Sequence, residues 1–458
     1  MTREAKTANR PIISIVHRIQ LAISISQRLD LTYIEDVDGK VAENNSISLV
    51  IDSLAKINPE KFKGGLIIID EVVQVLEHLM TSDTCKSKRQ KILNNLGLLA
   101  KIIIESGGQF VLADADLNES TLRFFIGLLG DEIEPYIIHN EYREQSYKCF
   151  VSEGHKQLVG KQLIKTPTDV IATALQFAKQ GKRVILCVTG QDEQSKWGTI
   201  NLEKLFLSHG VSSVLRIDSE TVKNPEHPAY KATSKINQLC DAFQVIIGSP
   251  SMGTGVSIEN RIPFDLCCGV FTGVGSPDSV RQFLMRLRDK SVSRLIWVAD
   301  RGLTTTYDNL GTTIKSVETK SNELFEFTQE LLTNHDKQWY AEYPEIKHCK
   351  HASFYFNNLV STKNKEVKRF KNYVLHGLKL ENVDITEIAT ASESFRANNI
   401  DYITLYKLAD ETKNNSLETY RKELEAQAII TDEDYSKLKN QVDLTDSERY
   451  RIRSKIII

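Results

Sequence analysis

The run Gly64-Gly65-Leu66-Ile67-Ile68-Ile69-Asp70-Glu71 constrains this 458-residue chain more than any other stretch. Four apolar residues in a row, without alternation, predict a strand buried on both faces. Such strands belong to parallel sheets covered by helices. The strand then delivers Asp70 and Glu71 side by side to the carboxyl edge of the sheet, where open α/β sheets bind ligands. In nucleoside-triphosphate hydrolases the first such acid holds the magnesium ion that bridges the phosphates. The second can polarise an attacking water as a general base. A strand end followed by a solvated helix start produces the same pattern, so the run needs its context.

Three later segments supply that context in order. Phe110 to Asp116 is a second buried-type strand ending in acids, Asp114 and Asp116. Val245 to Ser257 is a strand running into a loop of small residues, Ser249-Pro250-Ser251-Met252-Gly253-Thr254-Gly255. Glycines at Gly253 and Gly255 let backbone amides approach a phosphate closely. Val280 to Asp289 reads as a helix presenting Gln282, Arg286 and Arg288, the first two on one face by their spacing of four. Guanidinium groups there can stabilise charge on a transferring phosphoryl group. Each feature also has a plainer reading. Asp114 and Asp116 can cap the helix that follows, the glycine loop can be a turn, and the arginines can pair with surface acids.

Acid pair, acid-ended strand, glycine-threonine loop and Gln-Arg-Arg helix together resemble motifs II, III, V and VI of superfamily 2 helicases. His17-Arg18, after an apolar strand and before an amphipathic helix, resembles motif Ia, which touches the nucleic-acid backbone in that superfamily. The phrases IIDEVVQVLEHLM, LADADL, SPSMGTGVSI and QFLMRLRD are similar to the helicase-like part of cyanobacterial plasmid replication proteins, and those to herpesvirus origin-binding proteins. The resemblance runs from about Pro11 to Arg301. It implies a helicase-like, ATP-dependent DNA-remodelling protein of plasmid replication, using ATP and Mg2+. Asp70 would be the metal acid and Glu71 the base, with Gln282, Arg286 and Arg288 completing the catalytic set. Gly253, Thr254, Gly255, Asp114 and Asp116 would line the nucleotide. His17, Arg18, Ser249 and Ser251 would meet single-stranded or origin DNA, with other replication proteins or a missing N-terminal portion as further partners.

One departure weighs against turnover. The chain has no G-x-x-x-x-G-K-[ST] phosphate loop, the element whose amides and lysine grip the β- and γ-phosphates. Gly39-Lys40 and Gly64-Gly65 have the wrong spacing and flanks. By resemblance, the chain reads as N-terminally incomplete. A non-hydrolysing DNA-binding or replication-assembly module that keeps the fold is therefore the alternative.

The expected fold is α/β: two tandem RecA-like parallel-sheet lobes followed by a mostly helical C-terminal region. Lobe 1 spans 1–143, lobe 2 spans 144–303, and the helical region 304–458. Strands are expected near Pro11 to Val16, Ser46 to Ile51, Leu66 to Asp70 and Gln109 to Ala113. A second set covers Lys148 to Ser152, Arg183 to Thr189, Ser213 to Ile217, Val245 to Ser249, Leu266 to Phe271 and Arg294 to Ala299. Helical patterns lie between them, which implies parallel sheets. A net charge of -2 excludes a generally basic nucleic-acid binder, so contacts to DNA must come from local patches. Seven cysteines without a C-x-x-C pair read as buried small hydrophobes in a reducing compartment. No signal peptide and no membrane-length apolar run is present, so the expected setting is cytoplasmic. In the tail, the basic residues from Lys363 to Lys371 read as a solvated helix face. His348, Cys349 and His351 lack a second ligand cluster and read as structural.

Overall fold

The structure, a computed structural model, describes residues 2–36, 46–130, 133–140, 146–249, 256–259, 261–303, 311–320, 350–395, 401–428, 430–439, 441 and 443–457. The chain forms two compact units, Met1–Asn140 with Tyr307–Asn364, and Glu141–Thr306 with Lys365–Ile458.

In the first unit, strands β1 (Ile12–Val16), β2 (Thr32–Tyr33), β3 (Ser46–Val50), β4 (Leu66–Asp70) and β5 (Gln109–Ala113) form one sheet in the order β2-β3-β1-β4-β5. Every pairing is parallel, with Ile15 opposite both Leu49 and Ile69 and Asp70 opposite Ala113. The carboxyl ends of β3, β1, β4 and β5 therefore share one edge. Helices Ile19–Leu29 and Val72–Thr81 follow β1 and β4. The latter buries Val72, Val75, Leu76 and Leu79, an apolar stripe at the helical period. Gly64-Gly65 open β4 at the opposite, amino end. Gly64 has φ 65°, and a Cβ at Gly65 would come within 2.8 Å of the carbonyls of Phe62 and Pro11. Both glycines thus serve the turn into the strand.

In the second unit come β6 (Lys148–Ser152), the antiparallel hairpin β7 (His155–Val159) and β8 (Gln162–Thr166), then β9 (Val184–Val188), β10 (Val214–Ile217), β11 (Val245–Gly248), β12 (Leu266–Phe271), β13 (Arg294–Val298) and β14 (Asp384–Ile388). A seven-stranded parallel sheet has the order β10-β11-β9-β12-β13-β6-β14. Its central strands β9 and β12 are buried at every residue, as continuous apolar runs require. Cys187, Cys267 and Cys268 pack there, and Cys240 in the helix Ile236–Ala242, all as buried free thiols. Both units are built on parallel α/β sheets, and the C-terminal region is mainly helical. It also contributes a strand that the sequence reading lacks. Asp-Ile-Thr-Glu-Ile is too short and too polar to signal burial, yet as β14 it covers the outer edge of β6. The hairpin and the two-residue β2 were not anticipated either. No helix among the described residues is long and apolar enough to cross a membrane.

Candidate functional site at the sheet edge

Three strands of the first unit place the acids and His17 together. Because Ile69 pairs Ile15 and Asp70 pairs Ala113, His17, Glu71 and Asp114 each lie just past the end of neighbouring strands. Glu71 closes β4 with φ 53° and ψ 50°. That left-handed conformation costs a non-glycine residue on the order of 1–3 kcal/mol, and such residues cluster at functional sites. Its amide donates to Asp70 Oδ1 at 3.1 Å, and the chain then enters the helix Val72–Thr81 with Glu71 at the N-cap.

Asp114 holds that helix start in place. Its Oδ2 accepts the Val73 amide at 2.9 Å, and its Oδ1 accepts the Asp116 amide at 2.7 Å. Burial pushes the Asp114 carboxyl up, against these two hydrogen bonds, and the charges of Asp116 and Asp70 add to the rise. Both oxygens thus serve backbone amides, so Asp114 positions the residues after Glu71. The helix that follows β5 has its own cap, Asn118, which accepts from Thr121 at 3.0 Å. The plainer reading of Asp114 therefore named the right role and the wrong helix.

His17 is buried, and neither ring nitrogen has a hydrogen-bond partner among the described residues. Burial, with Arg18 and His78 nearby, pushes its pKa down to about 3. Its Nδ1 lies 3.8 Å from Glu71 Oε2. The geometry alone would make this an ion pair, but a neutral imidazole makes it a dipole facing a carboxylate. Arg18 is exposed, and its charge interacts with Glu71. Asp70 and Glu71 offer the carboxylate oxygens that a hydrated magnesium ion takes, whereas the His17 imidazole is not a magnesium ligand. The loop and lysine that would grip a nucleotide's phosphates are not in the sequence, so these residues fit only the metal half of such a site.

In the second unit, the helix Pro277–Met285 carries Gln282, and Arg286 caps its C-terminus. Arg286 Nη1 donates to the Val256 carbonyl at 3.2 Å, and Arg288 Nε to Ser257 Oγ at 2.9 Å. Backbone bonds between Ile258 and the Arg286–Arg288 segment fasten the two stretches side by side. Ser249 follows β11, and its amide donates to the Ile217 carbonyl at 3.0 Å. Ser251, Gly253, Thr254 and Gly255 lie outside the described residues, as do His348 and Cys349. His351 packs its ring against Gly127, where an added Cβ would come within 2.0 Å of Nδ1. The tail cations do not form one patch: Lys363 pairs Glu77, Lys371 pairs Glu153, and Phe370 is core.

Two positioning arginines escaped the sequence reading. Arg294 is fully buried at the start of β13. It donates to the carbonyls of Leu287, Asp289 and Val292, clamping the segment that carries Arg286 and Arg288, and it stacks over Tyr147 at 4.3 Å. Arg281, also buried, joins Asp278 and Glu381. A lone charge heading the apolar run Leu295-Ile296-Trp297-Val298 was the available signal for Arg294.

No family model matches the chain. An uncharacterized protein of Picosynechococcus sp. is 28% identical over 466 residues, covering 96% of this chain and 43% of the relative. The chain thus spans less than half the length of the curated relative it matches. Among solved structures it is similar to the Mycobacterium smegmatis helicase Lhr bound to single-stranded DNA and AMP-PNP, at 12% identity and TM-score 0.44, over 63% of this chain and 40% of that one. It is also similar to the helicase MrfA bound to DNA, at 15% identity and TM-score 0.45, over 87% and 53%. T. fusca Cas3 with ADP gives 11% identity and TM-score 0.45 over 90% and 51%.

Proposed function

We propose that this chain is the motor-fold portion of a cytoplasmic, helicase-like protein that remodels DNA during plasmid replication, with ATP and Mg2+. Asp70 holds the magnesium ion and Glu71 takes the proton of the attacking water. Gln282, Arg286 and Arg288 stabilise the phosphoryl charge, and the loop from Gly253 to Gly255 approaches the phosphates. Arg18, with Ser249 and Ser251, meets the DNA backbone. The observation that carries this reading is Glu71, held in a strained backbone beside a buried imidazole while Asp114 fastens the helix behind it. A solvated strand end has no need of that arrangement.

Magnesium when bound would neutralise charge between phosphates; the chain's own residues hold it and place the base. The test is DNA-stimulated ATP hydrolysis by the full chain. Activity that disappears in Glu71→Gln, with DNA binding intact, supports the motor. The missing phosphate loop favours a second reading, a module that binds DNA without turnover. Magnesium-independent DNA binding with no hydrolysis establishes that module and removes the catalytic assignments.

A further inference from the structure

Near the catalytic edge, but separate from it, three different metal-ligating side chains converge in the first unit. Asp52 lies in the 3-10 turn Ile51–Lys56 that follows β3, His78 in the last turn of the helix Val72–Thr81, and Cys85 in the short helix Asp83–Lys86. Their ligand atoms all lie within 4.8 Å of one another, and His78 Nε2 is 2.7 Å from Asp52 Oδ2. Cys85 is completely buried, while Asp52 and His78 keep 16% and 26% of their side chains exposed, which leaves a path for an ion.

From this geometry we infer that Asp52, His78 and Cys85 bind a thiophilic divalent cation, zinc by preference, at a site distinct from the Asp70 magnesium position. Thiolate, imidazole and carboxylate are the donors zinc takes, and hard magnesium or calcium would require an all-oxygen shell. The charges match: one carboxylate and one thiolate neutralise a dication in a half-buried place, and imidazole adds none. Tetrahedral ligands at zinc distances stand about 3.3 Å apart. The His78–Asp52 pair therefore opens by about half an ångström, within the reach of side-chain rotation. The fourth position falls to water or to the Thr84 hydroxyl, whose Oγ1 is 3.5 Å from His78 Nε2.

Without an ion the three groups hold one another by hydrogen bonds. Burial and the Asp52 charge push the Cys85 thiol up to about 11. Burial would raise the Asp52 carboxyl, but hydrogen bonds from His78, Thr84 and Cys85 outweigh it and keep it well below the usual carboxylate range. Metal binding breaks the Cys85 S–H bond, forms the sulfur–metal bond and releases the proton to solvent. Affinity therefore rises with pH in the neutral range. An ion here would staple the turn after β3 to the far end of the helix that starts at Glu71.

The experiment uses the full chain, stripped with a chelator and titrated with Zn2+ against a chromophoric competitor, then with Co2+. The expected result is one equivalent bound, with a near-ultraviolet sulfur-to-cobalt charge-transfer band. Cys85→Ser should lose that band, and Cys85→Ser, His78→Gln and Asp52→Asn should each weaken Zn2+ at least about tenfold. Zn2+ should raise the melting temperature of the wild type but not of Cys85→Ser. Melting of the metal-free variant at the wild-type temperature shows that the fold survives. Failure to bind one equivalent, or an unchanged cobalt band in Cys85→Ser, overturns the site. So does equal stabilisation of wild type and Cys85→Ser by Zn2+.

Discussion

At His17, burial and neighbouring positive charge act in the same direction, and the consequence is measurable. The folded state keeps the imidazole neutral down to about pH 3, whereas the unfolded chain takes up a proton near the ordinary 6.5. Below that ordinary value the unfolded state binds more protons, so stability falls as pH falls through the window between the two values. Each unit costs up to about 1.4 kcal/mol. Asp114, its carboxyl raised by burial, acts in the opposite sense, so wild type must be compared with a variant that alters His17 alone. We expect the urea midpoint of the wild type to drop between pH 6.5 and 4.5 more steeply than that of His17→Gln. Equal slopes would show that the ring is protonated in the fold. At this scale the sequence made Asp70 and Glu71 visible as an acid pair. It did not reveal that Glu71 takes a left-handed backbone, because that conformation is imposed by how β4 hands over to its helix and has no residue signature.

Elements that carry a continuous apolar run were legible almost to the residue. Leu66–Asp70, Gln109–Ala113, Lys148–Ser152 and Leu266–Phe271 are the strands expected from apolar runs. What escaped were elements whose stability comes from distant partners. The hairpin of β7 and β8 leaves Leu158 and Leu163 64% and 65% exposed, so no buried face marked it. For β14 the partner is a carboxylate: fully buried Asp169 accepts from Ser152 Oγ at 2.5 Å and from the Ala391 amide at 2.8 Å. It thereby joins β6, the helix Thr168–Lys179 and the chain leaving β14. Removing it orphans two buried donors, each worth about 1–3 kcal/mol. Asp169→Ala should therefore lower stability by several kcal/mol, roughly the sum of those two penalties. Asp169→Asn, which keeps a carbonyl acceptor, should lose less than half as much. Thermal melting of both variants checks this, and equal losses would mean that packing rather than hydrogen bonding dominates there.

Across the whole molecule, the alternation of apolar strands and amphipathic helices made two parallel sheets legible, while strand order and edges were not, since order depends on pairings between strands separated in the chain, such as Lys148 with Asp384. The edge of the first sheet shows what this hides. Phe110-Val111-Leu112 reads as an interior strand, yet β5 pairs only with β4 among the described residues, and these three side chains are half-buried. A row of backbone donors and acceptors beside half-covered apolar residues is a template for another strand. Phe110 and Leu112 pack toward the main core of this unit, whereas Val111 lies on the small cluster of Ala5, Ile12 and Leu66. A lysine at 111 can leave its stem on that cluster and carry its ammonium to the rim, where it opposes the approach of a second chain. The full chain should therefore gain apparent mass with concentration in sedimentation experiments, and Val111→Lys should suppress that gain while lowering stability by only about 1 kcal/mol. A wild type that stays monomeric throughout would show that this edge is already covered, and the strand-template argument would fail.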